Sequence, residues 1–109
     1  MNLEALVETI VKDYKCWNAR SPYGDDDRKA ERVQEFADQI KIVEGSKYIK
    51  IITGSSVWGF VVKTATDKKF AQGDILMAAS WASPARNKPR GNVLDENYSW
   101  VRWTGPEYL

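Results

Sequence analysis

Between Asp74 and Asp95 the only charged side chains are Arg86, Lys88 and Arg90, carried in the string Pro84-Ala85-Arg86-Asn87-Lys88-Pro89-Arg90-Gly91-Asn92. A guanidinium fork grips phosphate or carboxylate through two parallel hydrogen bonds, and an ammonium adds a point charge. The two prolines restrict how far the segment collapses, and Gly91 permits a turn that presents backbone N–H groups to the same anion. Arg86, Asn87, Lys88, Arg90, Gly91 and Asn92 therefore form a candidate anion-binding loop. Nine of the 13 aromatic residues also lie in the C-terminal part, from Tyr48 to Tyr108. Aromatic faces beside Arg and Lys stack bases while the cations neutralise phosphates, so Trp81 and Trp100 are the candidate aromatic face. Two bland readings weigh against this. Basic residues on a loop are usually a solvated surface, and a small sheet needs Trp58, Phe60 and at least one of Trp100 and Trp103 for its own core.

Other chemistries have little to work with. The sequence contains no histidine, which removes the commonest general base near neutral pH and rules out Ser-His-Asp and Cys-His catalysis within one chain. An enzyme would need an acid and a base from Asp74, Asp95, Glu96 or a lysine, and no pair among them stands at a telling spacing. A lone cysteine, Cys16, excludes an intramolecular disulfide framework and a cysteine-based zinc site. Asp25, Asp26 and Asp27 suggest a calcium or magnesium site, but counting from Asp25 the glycine and glutamate of an EF-hand loop are missing. They precede a new apolar stripe and read instead as the cap and acidic first turn of a helix. No metal and no cofactor is expected.

These candidates must be positioned by a chain of 109 residues, the size of one domain, with the 43% hydrophobic and 28% charged content of a globular protein. Leu3, Leu6, Val7, Ile10, Val11 and Tyr14 follow a helical stripe, with Asn2 as its N-cap and an end near Asn18 or Arg20. Ala30, Val33, Phe36, Ala37 and Ile40 make a second stripe. Beyond Gly45 the period changes to two. Tyr48, Lys50 and Ile52 share one face of a strand over 47–53, and Lys47, Ile49 and Ile51 share the other. A second strand over 57–63 completes a hairpin through Gly54-Ser55-Ser56, with Gly59 marking a bulge or a close backbone approach. Strands over 74–80 and 98–103 follow, separated by a loop over 81–97 without periodicity, longer than compact domains usually tolerate unless it serves a function.

The expected fold is α+β: a two-helix segment over 1–45 packed on a small antiparallel sheet, or an open barrel, of about four strands over 46–109. Leu3, Leu6, Val7, Ile10, Val33, Phe36 and Ile40 are expected to pack on one sheet face. Charge divides between the parts, at −3 for residues 1–46 and +4 for 47–109, leaving a net +1. Near-neutrality overall argues against bulk non-specific DNA binding. No apolar run approaches the roughly 20 residues of a membrane helix. Glu4 and Glu8 interrupt any secretory signal, so a cytosolic location is the default.

The leading expectation is a non-enzymatic binding module for an anionic small molecule, nucleic acid or acidic surface. The alternative is a protein-interaction or inhibitor domain, or a homo-oligomer, docking through a helical face or exposed tryptophans. Walker, Rossmann and RNA-recognition motifs are absent from the sequence. The strings Trp58-Gly59-Phe60-Val61, Gly73-Asp74-Ile75-Leu76 and Trp103-Thr104-Gly105-Pro106 resemble the small accessory proteins encoded by bacteriophages. That resemblance implies a protein that binds a host factor or a small nucleotide signal, and it assigns no role to any single residue.

Overall fold

The computed structural model describes residues 3–95 and 98–106. Helix α1 spans Glu4–Ala19 and buries Leu6 and Ile10 from its apolar stripe. Asn2 lies outside the described residues; Leu3 holds the capping position and makes no side-chain cap there. Helix α2 spans Asp26–Asp38. As expected, Asp25 caps it, its Oδ1 accepting from Arg28 N at 2.9 Å, with Asp26 and Asp27 in the first turn.

The second stripe does not run on to Ile40. Ile40 instead opens strand β1, Ile40–Glu44, which pairs antiparallel with β2, Tyr48–Thr53. The segment Ile40-Lys41-Ile42-Val43-Glu44 is rich in β-branched residues, which suit a pleated surface, and a tight turn at Ser46-Lys47 folds it back, with Gly45 N donating to Tyr48 O at 2.8 Å. Strand β2 pairs with β3, Ser56–Val62, through Gly54-Ser55, one residue shorter than the expected connection. Gly54 has φ +66°, which an L side chain disfavours. The register slips between Ile51 and Ile52 so that Trp58 is the extra residue of a bulge. Gly59 beside it is approached closely: a Cβ there would lie 3.3 Å from Pro106 Cγ.

Strand β4 is shorter than expected, Asp74–Leu76, because the chain beyond it leaves the sheet and makes only a bridge from Ala78 to Pro84. The segment expected to be without structure contains strand β5, Gly91–Asn92, paired with β4. The expected strand over 98–103 shrinks to β6, Val101–Arg102, which pairs with β7, Gly105–Pro106, apart from the main sheet. The fold is thus α+β, two helices followed by an open five-stranded antiparallel sheet in the order β1-β2-β3-β4-β5. Among the described residues no helix is long and apolar enough to cross a membrane.

Strand alternation gives the sheet two apolar faces. On one, Leu6 and Ile10 of α1 meet Ile49, Ile51, Trp58, Val61, Ile75, Val93 and Val101, with Leu3, Phe36 and Ile40 packed against them as expected. Val7 and Val33 depart from the expectation. Val7 is half-buried beside Ile42, and Val33 lines the cleft between the helices, because α2 leans on α1 and reaches the core through Phe36. Phe36 stacks on Tyr14 at 4.3 Å, and Trp103 meets Tyr14 edge-on at 5.1 Å. On the opposite face, Phe60, Val62, Phe70 and Leu76 form a smaller cluster, with Tyr48, Val57 and Ala78 against it, under the loops that follow β3 and β4.

A candidate basic and aromatic trough on the loop-covered face

Lys50 stands in the middle of β2, opposite Phe60 of β3, on the face away from the helices. Its ammonium lies 5.9 Å from the centre of the Phe60 ring and 4.9 Å from that of Trp81, which the loop after β4 brings over it. Both distances suit cation–π attraction. Trp81 itself is 54% exposed and offers the rest of its ring to solvent.

Two residues along the same face, Tyr48 gives its hydroxyl oxygen to the Arg86 guanidinium. Arg86 also makes a two-pronged bond to Asp67, Nη1 to Oδ2 at 3.0 Å and Nη2 to Oδ1 at 3.1 Å, and lies 4.9 Å over the Phe70 ring. Asp67 Oδ1 further accepts from the backbone N–H groups of Lys69 at 2.8 Å and Phe70 at 3.0 Å, closing the turn after β3. Arg86, aided by those N–H groups, holds the Asp67 carboxyl well below the usual carboxylate range, and Asp67 with Tyr48 raises Arg86 further above its already high value. Lys69 Nζ donates to the Arg86 carbonyl, so the two loops are tied at main chain and side chain alike.

The result is a polar cleft of about 560 Å³ lined by Lys47, Tyr48, Thr64, Thr66, Asp67, Lys68 and Arg86. A second cleft of about 360 Å³, lined by Lys47, Tyr48, Lys50, Phe60 and Ala82 among others, adjoins it, sharing Lys47 and Tyr48. The two make one trough in which Lys47, Lys50, Lys68 and Arg86 alternate with Tyr48, Phe60 and Trp81. Such a surface neutralises an anion and stacks a planar group, and two hydroxyls, Thr64 and Thr66, add hydrogen-bonding capacity.

The loop expected to bind as a unit is divided by the structure. Trp81 and Arg86 reach the trough. Arg86 is not one of three unopposed cations, because Asp67, distant in sequence, opposes it. Asn92 serves the fold: its Nδ2 donates to Asp74 Oδ1 at 2.9 Å and Gln72 O at 3.0 Å, and its Oδ1 accepts from Leu94 N at 2.7 Å. Gly91 packs under Trp100, so closely that a Cβ would stand 2.2 Å from the indole. Trp100 is accordingly half-buried against the helix-side core, not on the trough. Arg90 is half-buried, its backbone N bonded to Ile75 O at 2.8 Å and its Nε without a partner. Asn87 and Lys88 are exposed, with Asn87 Oδ1 accepting from Lys88 N. Glu96 and Asn97 lie outside the described residues, as do 107–109.

A model of a family of unknown function, DUF7717, matches residues 2–108. The chain belongs to the DUF7717 family. No curated protein and no solved structure matches it significantly. Lys47, Lys50, Lys68 and Tyr48 of this DUF7717 chain were not singled out by sequence reasoning. No local signal marked them, because a lysine at an alternate position is the ordinary pattern of an antiparallel strand with one solvated face.

Proposed function

We propose that the chain is a non-enzymatic, cytosolic binding module whose trough takes a single-stranded nucleic acid. The observation that carries this reading is the pair of adjoining clefts in which Lys47, Lys50 and Lys68, with the Asp67-paired Arg86, interleave with Tyr48, Phe60 and Trp81. A ligand that fills both must repeat anionic and planar groups along its length, which is the chemistry of an oligonucleotide. A lone phosphate would occupy only the Lys47, Lys68 and Arg86 end. Cations gathered along one trough give a local positive surface on a chain whose net charge is only +1.

Fluorescence anisotropy with labelled single-stranded DNA and RNA oligonucleotides tests the proposal. Affinity falls as salt rises, and Lys68→Glu weakens binding and flattens the salt slope, because each phosphate contact contributes a slope of about 0.7 for single strands. Trp81→Ala removes a stacking face worth about 1–3 kcal/mol per base, a loss of roughly five- to more than a hundredfold. Lys88→Glu, outside both clefts, leaves affinity unchanged. Equal losses for Lys88→Glu and Lys68→Glu would show a diffuse basic surface, and oligonucleotides that do not bind at low salt would remove the reading.

A further inference from the structure

Strand β1 is the outer strand of the sheet, and among the described residues nothing pairs with its far edge. It is not blunted by a proline or a bulge, and Ile42 and Val43 are 46% and 49% exposed. An open apolar edge of this kind is a template for another strand.

Its hydrogen-bonding pattern can be worked out. Gly45 N donates to Tyr48 O and Gly54 N to Gln39 O, so the odd-numbered residues of this register bond inward to β2. In an antiparallel ladder the alternate residues then turn their N–H and C=O groups outward, and these are Ile40, Ile42 and Glu44. An antiparallel copy of the same strand, centred on Ile42, uses all three: Ile40 faces Glu44 of the second strand, Ile42 faces Ile42, and Glu44 faces Ile40. The same register sets Lys41 beside Val43 and opposes no like charges. Centring one residue earlier sets Lys41 against Lys41, and one residue later leaves the groups of Ile40 unpaired. Beside Ile42 an apolar groove of about 450 Å³, lined by Leu3, Val7 and the stems of Glu4 and Glu8, leaves room for the second Ile42.

We infer that β1 pairs with β1 of a second copy of this chain, joining two five-stranded sheets into one continuous antiparallel sheet about a two-fold axis between the two Ile42 residues. A two-fold perpendicular to the sheet keeps each face on its own side, so the troughs of both copies open in the same direction. The inference rests on the edge strand alone and stands whether or not the trough binds nucleic acid.

Sedimentation equilibrium of the full chain gives a species of twice 12.4 kDa that dissociates on dilution. Ile42→Pro, which deletes an outward N–H and leaves the bonds to β2 in place, shifts the chain to monomer. Val43→Lys, folded by circular dichroism, does the same if the proline variant fails to fold. Hydrogen-bonded pairs in a ladder have Cα atoms about 5.5 Å apart, within reach of a disulfide. Cys16→Ser/Ile42→Cys therefore oxidises to a covalent dimer faster than Cys16→Ser/Val43→Cys. A chain monomeric at its highest soluble concentration, a dimer that survives both edge substitutions, or faster crosslinking through position 43 would overturn the inference.

Discussion

Asp67 holds two loops with one carboxylate. It closes its own turn through the N–H groups of Lys69 and Phe70, and it fixes Arg86, which arrives from a loop on the far side of β4. The pH dependence of stability follows from that arrangement. Because the folded-state pKa is depressed below the ordinary 3.8, the contribution of Asp67 is fully present above about pH 4 and is lost as the pH falls below it. Asp67→Asn keeps an acceptor for the turn and removes the charge, so it melts at lower temperature than the native chain at pH 7. The difference narrows as both are titrated below pH 4, and thermal melts across that range check it; a constant gap would mean the charge contributes nothing. Gly91 is the other decisive single position. Gly91→Ala drives a methyl into the Trp100 ring and is expected to lower stability by about 1–3 kcal/mol in urea denaturation, the usual cost of overpacking.

At the scale of elements, α2 is the most weakly held. It buries no residue fully, and its ion pairs, Arg28 with Glu31 at 2.9 Å and Glu35 at 3.2 Å, are exposed and contribute little. The Asp25 cap and the stacking of Phe36 on Tyr14 hold it, together with bonds to the preceding segment: the buried Asn18 donates its Nδ2 to Lys29 O at 3.0 Å and Arg32 Nη1 donates to Tyr23 O at 2.8 Å. Asp25→Ala therefore costs about 1 kcal/mol. By hydrogen exchange, α2 amides lose protection first while those of β2 and β3 are unchanged; uniform loss across the chain would show that α2 belongs to the main cooperative unit. The strands show why local pattern misled. Ile40 continues the spacing of Val33, Phe36 and Ala37, so a helical stripe and a new strand overlap at one residue, and β1 was hidden in the helical segment. Gly91-Asn92 carries no apolar alternation at all; it is a strand because Ile75 and Gly73 offer bonding partners, and because Gly91 lets Trp100 lie flat against it.

At the scale of the molecule, the helical part covers one face of the sheet, and Lys47, Lys50, Lys68 and Arg86 lie along the other. The charge split along the chain and the packing of helices on one sheet face were legible, since charge and hydrophobic period are properties of contiguous residues. So were both helices, the Asp25 cap, the β2–β3 hairpin and the alternation that puts Tyr48 and Lys50 together. Sequence also placed Trp81 and Arg86 among the residues of interest. It could not show that Arg86 is held by Asp67, that Trp100 lies against the core, or that Asn92 is spent on Asp74 and Leu94. Each depends on contacts between segments far apart in the chain. Local preference fixes which face of a strand a residue occupies, because the backbone alternates every residue. Which loop folds over that face, and which cations it leaves exposed, is decided only when the whole chain has closed around its core.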